Sequence, residues 1–244
     1  MNLQNDNDIQ VDAVITWVDG NDPSHMSKLG NYMVDKNTIN KKSVRMRYDQ
    51  VNEIEFAVKS ILKYAKFVRK IFIVTDNQTP EFLKDKELIN KKYSKVVIVD
   101  HKNIFKDYEQ YLPTFNSLSI ESMLFRIPDL AEHFIYFNDD FFIANNTTVG
   151  DFFRDGKPVI RGFWTKFYED IWHKRIKSKY QELTNTKKLV YSHNRGLQMP
   201  AKWLGLKKYV HIDHTVAALR KSTFVDYFSE NPQMLDRNIK HRFR

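Results

Sequence analysis

Four short apolar runs, each stopped by acidic or amide residues, constrain this chain more than any other feature. Val11 to Val18 (VDAVITWV) ends in Asp19-Gly20-Asn21-Asp22-Pro23, Lys70 to Thr75 (KIFIVT) in Asp76-Asn77, Lys95 to Val99 (KVVIV) in Asp100-His101, and Phe134 to Phe137 (FIYF) in Asn138-Asp139-Asp140. Short β-branched and aromatic runs closed by turn residues read as buried strands. Between the first two, Ile54, Val58, Ile61 and Leu62 fall at helical spacing within Glu53 to Tyr64, and Phe56-Ala57 broadens the apolar face. Asn116-Ser117 caps a further helix through Phe125, which Pro128 stops. Strands alternating with helices predict an α/β domain with a mostly parallel sheet. Ligands of such sheets bind beyond the carboxyl ends of the strands, where Asp19, Asp76, Asp100 and Asp139 all fall.

The chain of 244 residues is long enough for one large domain, or a domain with a lobe, that buries roughly three quarters of its unfolded surface. With no cysteine, disulfide scaffolds and thiol chemistry are excluded. The net charge of +9 is uneven: residues 1–153 carry 19 basic and 22 acidic side chains (−3), and residues 154–244 carry 20 and 8 (+12). The basic excess predicts a C-terminal part that faces an anion. The organisation expected is a flexible N-terminus over 1–10, an α/β core over 11–153 that holds donor and metal, a hinge around Asn145 to Gly156, and a basic part over 154–244 that completes the site. No run approaches the roughly 18 apolar residues that span a bilayer, and the Asn/Asp-rich start lacks the pattern of an export signal. The expected location is therefore cytoplasmic.

Asp139-Asp140 is the sharpest chemical feature. Two carboxylates just past an apolar strand can hold Mg²⁺ or Mn²⁺, whose remaining positions go to water and substrate phosphates; the bland alternative is a turn that bonds its own backbone. The Asp19-Gly20-Asn21-Asp22-Pro23 turn is ambiguous in the same way, between ligand contact and turn chemistry. Asp12 lies inside a strand run, where a lone carboxylate needs a partner. Trp17 is core by default, though an indole at a strand end can stack on a base. His211 and His214 lack a clear third metal ligand, which leaves a general base among phosphate-holding basic residues as the functional reading. Phosphate-loop, dinucleotide-binding and serine-elbow motifs are absent. Nucleic-acid binding rests on charge alone, with no recognition module, and no nucleic-acid partner is expected.

Taken together, VDAVITWVDGNDP (11–23), RMRYDQVNEIEFAVKSILKYAKFVRKIFIVTDNQTPEFL (45–83), LPTFNSLSIESMLFRIPDLAEHFIYFNDDFF (112–142) and HTVAALRKSTF (214–224) resemble the Stealth family. These are microbial capsular-polysaccharide and related hexose-1-phosphate transferases, akin to the animal GlcNAc-1-phosphotransferase. The resemblance implies a nucleotide-diphospho-sugar transferase-like (GT-A-like) fold with a basic C-terminal lobe. It also implies a UDP-sugar donor, a glycan acceptor that is free or lipid-linked, a protein peripheral to the inner face of the cell membrane, release of UMP, and Mg²⁺ or Mn²⁺ as cofactor. On matching blocks, Asp139 and Asp140 would hold the cation. Asp12, Trp17, Asp19, Asp22, Arg47, Asn52, Glu53, Asn116 and Glu121 would lie near donor nucleotide or sugar. His214 matches the family's His-x-Pro element, with Val216 in place of the proline, and would be the general base; Arg220 and Arg244 would hold phosphate. The rival readings are an ordinary glycosyltransferase that releases UDP, and a basic polyanion-binding module.

Overall fold

The structure, a computed structural model, describes residues 9–33, 51–172, 176, 180, 184, 193–212 and 215–243. All four expected strands form: β1 (Val11–Thr16), β2 (Val68–Thr75), β3 (Val96–Asp100) and β4 (His133–Asn138). Two-residue strands β5 (Phe153–Arg154) and β6 (Lys157–Pro158), then β7 (Phe163–Thr165), β8 (Tyr209–His211) and β9 (Ala217–Arg220), are the other strands among the described residues. The described helices used below are α1 (Pro23–Tyr32), α2 (Glu53–Tyr64), α3 (Lys86–Lys92), α4 (His101–Ile104), α5 (Ser117–Glu121), α6 (His193–Trp203), α7 (Lys221–Glu230) and α8 (Pro232–Ile239).

The main sheet runs β3-β2-β1-β4-β9, with its first four strands parallel and β9 antiparallel to β4. Alternation along each strand sorts the side chains onto two faces. Val11, Ala13, Ile15, Ile71, Ile73, Ile135 and Phe137 face one core, which α2 covers. Val14, Phe72, Val74, Phe134, Phe228, Leu235 and Ile239 face the other, which brings α7 and α8 onto the opposite side. An α/β fold with a mostly parallel sheet flanked by helices is thus borne out.

Helix α2 occupies the expected residues, and Ile54, Ala57, Val58 and Ile61 form its buried stripe. Phe56 departs from expectation, because it is 60% exposed. Two residues from both Ile54 and Val58, it sits about 200° around the helix from the first and cannot share their face. The helix capped at Asn116 is shorter than expected: α5 ends at Glu121, and a separate 3₁₀ turn spans Leu124–Arg126.

The chain divides into two compact units, Met1–Val159 with Val216–Arg244, and Ile160–Thr215. The expected boundary after residue 153 is displaced, and the final segment returns to the first unit, because β9 pairs with β4 in the register Tyr136↔Ala217 to His133↔Arg220. In the second unit β7 pairs with β8, and Phe167, Ala201 and Tyr209 form a small core with Leu197. Gly162 lies so close to the His211 carbonyl that any side chain would collide with it. The charge follows this division: residues 160–215 hold 12 basic and 4 acidic side chains, +8, leaving 27 and 26, +1, for everything else. Among the described residues, no helix is long and apolar enough to cross a membrane.

Candidate active site

Because β1 to β4 are parallel, the segments after Thr16, Thr75, Asp100 and Asn138 all leave the sheet at one edge. Strands β2 and β3 lie on one side of β1 and β4 on the other, so the order reverses between β1 and β4. A reversal of this kind opens a crevice outside the carboxyl ends, where open α/β sheets bind ligands. At that point Thr16 pairs in register with Asn138. The Tyr136 hydroxyl lies 3.0 Å from Thr16 Oγ1 and donates to Asn138 Oδ1 at 3.0 Å. Glu121 also bonds this hydroxyl; burial first, then the Glu121 charge, pushes the Tyr136 phenol above its ordinary value.

Asp139 and Asp140 follow immediately. Burial pushes the Asp139 carboxyl up to about 6, and the charges of Asp140 and Glu53 add to the effect. Glu53 is close because α2 runs back towards the start of β2, which leaves its N-terminus at the carboxyl edge. Asn52, at that terminus, adopts φ +65°, a left-handed conformation that asparagine tolerates better than most residues, and Glu53 Oε2 accepts from Val51 N at 2.6 Å. Among the described residues, no group of three His, Cys, Asp or Glu converges as a complete metal cage. The pair nevertheless fits a hard cation that keeps several waters and binds substrate phosphate, which needs only one or two carboxylates. Asp139 is held in a state that a nearby cation would relieve, since its burial and like-charged neighbours all oppose ionisation.

On the other side of the crevice the loop after β1 is braced by Gln78. Its Oε1 accepts from Asp19 N at 2.8 Å, and its Nε2 donates to Asp19 O and to Asp22 Oδ2, each at 3.0 Å. Asp22 also caps α1 by accepting from Ser24 N at 2.7 Å. The Gln78 bond, with the Ser24 and His25 amides, holds its carboxyl below the ordinary range despite some burial. Next along the edge, Lys28 pairs with Asp76 at 2.8 Å, and Asp100 Oδ2 accepts from Asn77 N at 2.7 Å. His101 is 5% exposed, and burial pushes its imidazole down to about 4. Sequence reasoning did not single out Gln78, Tyr136, Lys28 or His101 as functional; the turn after β2 was the one signal that pointed towards Gln78.

Three expected site residues serve the scaffold instead. Asp12 is fully buried towards the amino end of β1 and accepts from Arg69 Nε at 3.0 Å, Arg69 Nη2 at 2.7 Å, Lys70 N at 3.1 Å and Ala131 N at 2.7 Å. Its acceptor capacity is spent on tying β2 and the start of β4 together. Trp17 is 7% exposed and packs in the α2-facing core, so its ring is not open for stacking on a base. Arg220 pairs with His133 at the amino end of β4, five residues or roughly 16 Å along the strand from Asn138, and donates to Glu132 Oε1 at 3.1 Å. The antiparallel register of β9 therefore keeps it away from Asp139.

Asn116 caps α5 through Leu118 N at 3.2 Å and donates to the His241 carbonyl at 3.1 Å. Ser119 Oγ lies 3.0 Å from the same carbonyl, and the Phe115 amide donates to Arg242 O at 2.8 Å. Residues 241–243 are thereby drawn against the start of α5, with Phe243 stacked on Phe115 at 5.2 Å and the Phe115 ring edge-on to His25 of α1 at 5.5 Å. Arg47, His214 and Arg244 lie outside the described residues. The structure thus brings Asp19, Asp22, Asn52, Glu53, Glu121, Asp139 and Asp140 to one sheet edge, and takes Asp12 and Arg220 away from it.

Two family descriptions match this chain: Stealth protein CR1, conserved region 1, over residues 10–33, and Stealth protein CR2, conserved region 2, over residues 47–160. A capsular polysaccharide phosphotransferase of Haemophilus influenzae is 36% identical over 97% of this chain and 61% of its own length. One of Aeromonas hydrophila is 32% identical over 97% of this chain and 62% of its own. An exopolysaccharide phosphotransferase of Mycobacterium leprae is 31% identical over 96% of this chain and 40% of its own. The chain thus spans less than two thirds of the length of these relatives. A 4-diphosphocytidyl-2C-methyl-D-erythritol synthase structure from Anaerococcus prevotii aligns over 97% of this chain and 86% of its own, at 12% identity and a TM-score of 0.31. The conserved blocks span both sides of the crevice, from the Asp19–Asp22 loop to Asp139-Asp140, and the chain belongs to the Stealth family.

Proposed function

We propose that this chain carries the catalytic core of a sugar-1-phosphate transferase, which moves a hexosamine or hexose 1-phosphate from a UDP-sugar to a glycan hydroxyl in surface-polysaccharide synthesis. The observation that carries the proposal is the half-buried Asp139 beside Asp140 and Glu53 at the point where the strand order reverses. The relatives' names, capsular and exopolysaccharide phosphotransferase, support the reaction class.

In the proposed step the acceptor oxygen bonds to the sugar-bearing phosphorus of the donor. The bond from that phosphorus to the bridging oxygen breaks, and UMP leaves with the electron pair. The hydroxyl proton passes to a base, which we assign to His214 on the family resemblance alone. The sugar–oxygen bond stays intact, so the product is a phosphodiester. Asp139 and Asp140 would hold Mg²⁺ or Mn²⁺, which supplies charge stabilisation to the phosphate oxygens when bound. Asp19 and Asp22, on a loop fixed by Gln78, would turn their carboxylates towards the donor across the crevice. Their rigidity positions the donor before reaction, which is where proximity lowers a barrier.

The experiment is a product assay with UDP-GlcNAc, Mg²⁺ and an oligosaccharide acceptor. UMP as the nucleotide product supports the reading, and UDP as the sole nucleotide product moves the protein to the ordinary glycosyltransferases. Asp139→Asn and Asp140→Asn are expected to lower turnover by roughly 10²–10³.

A further inference from the structure

The second compact unit carries a feature that the proposed transfer reaction does not use. Helix α6 buries Ala201 and Gln198 and leans Leu197 on the small core of Phe167 and Tyr209. At 100° per residue, Met199 and Trp203 fall together on the opposite side. Both are exposed, Trp203 at 66%, and Leu204 beyond it is 75% exposed. This edge is fixed by the way the helix ends. Gly205 takes φ +66°, its N–H reaches Lys202 O at 3.0 Å, and Leu206 N reaches Ala201 O at 2.9 Å. That pair of bonds is a Schellman cap, which needs a left-handed residue at the glycine position. Leu204 and Leu206 are thus held outward by backbone hydrogen bonds.

Lys207 and Lys208 follow at once, both exposed and neither paired with a carboxylate among the described residues. The unit to which they belong holds +8 of the chain's +9. An indole and aliphatic side chains next to exposed lysines, on a strongly basic unit, is the pattern of an interfacial membrane contact: apolar groups enter the acyl boundary and cations meet lipid phosphates.

We propose that the Ile160–Thr215 unit docks on an anionic phospholipid surface through Met199, Trp203, Leu204 and Leu206, with Lys207 and Lys208 at the headgroups. Charge argues against a second copy of this chain as the occupant, because pairing two such units would set +8 against +8. An anionic glycan would satisfy the lysines but would leave Leu204 and Met199 without an apolar partner. The proposal stands on this unit's own charge and exposure and does not depend on the transfer reaction.

The test is sedimentation of the full chain with vesicles, in the absence of donor and acceptor. Binding to equimolar phosphatidylcholine and phosphatidylglycerol, with much weaker binding to phosphatidylcholine alone, is expected. K207Q/K208Q should weaken partitioning roughly 25-fold, at about fivefold per lysine. Leu204→Ser should weaken it by roughly tenfold or more, and, lying at a largely exposed position, should leave the fold intact. Trp203 should be quenched by acyl-brominated lipid, with that quenching lost in Trp203→Phe. Three results would overturn the proposal: no binding to anionic vesicles, binding that none of these variants changes, or a dimer in solution that shields Trp203 and is broken by Leu204→Ser. Loss of binding to a soluble anionic polysaccharide in the same variants, with no vesicle binding, would reassign the surface to glycan.

Discussion

Gln78 clasps the backbone of Asp19 from both sides, accepting from its N–H at 2.8 Å and donating to its carbonyl at 3.0 Å. One buried amide on the β2 side of the sheet thus sets the shape of the loop that follows β1. Gln78→Ala removes both bonds and the one to Asp22 Oδ2, and a cost of about 1–3 kcal/mol is expected for the groups left unsatisfied. Urea unfolding measures that cost. If the loop positions the donor, KM for UDP-sugar should rise more than kcat falls.

Asp12 and Arg69 should behave as structure rather than chemistry. Removing one member of a buried, multiply bonded ion pair typically costs roughly 3–5 kcal/mol, so Asp12→Ala should be strongly destabilised. The double variant with Arg69→Met should cost less than the two single changes summed, since each single change takes the other residue's main partner away. A stable Asp12→Asn protein with no turnover would return this residue to the active site.

Asp139 gives a stability prediction of unusual sign. Its carboxyl is pushed up to about 6 from 3.8, so between those values the folded protein binds the extra proton and its stability falls as pH rises. Asp139→Asn should therefore stabilise the cation-free protein at neutral pH by about 1–2 kcal/mol, less than the roughly 3 kcal/mol of a full two-unit shift because the site stays partly solvated. The same change should abolish most turnover. Chemical denaturation in excess chelator, at pH 7 and pH 5, measures the stability gain and its pH dependence.

His101 contributes in the opposite direction. Its imidazole is pushed down from 6.5 to about 4, so below 6.5 the unfolded chain takes a proton that the folded protein refuses. Acidification from pH 7 to pH 5 should cost the wild type up to about 2 kcal/mol through this residue, and His101→Gln should flatten that part of the profile. An unchanged slope in the variant would show that His101 does not control the acid limb.

Much of the fold could be read in the sequence, because the four strands are short apolar runs with hard stops and α2 has a regular stripe from Ile54 to Ile61. What escaped was β9: Ala217–Arg220 is short and carries no alternation, and it becomes a strand through pairing with β4. That pairing determines where Arg220 lies, so an assignment carried by resemblance put it near a site from which its register separates it. The acidic strand ends marked the edge of the site, since parallel strands put every carboxyl end on the same side. Asp12 was singled out for the right reason, a carboxylate that needs a partner, but its partner Arg69 lies on another strand and only the tertiary structure supplies it.

The central claim is that the sugar moves with its phosphate, and labelling the donor's sugar-bearing phosphorus tests it most directly. With β-³²P-labelled UDP-GlcNAc, Mg²⁺ and a glycan acceptor, the label should enter the acceptor as a phosphatase-resistant diester while unlabelled UMP accumulates. Label recovered in UDP, with unlabelled sugar on the acceptor, would contradict the claim.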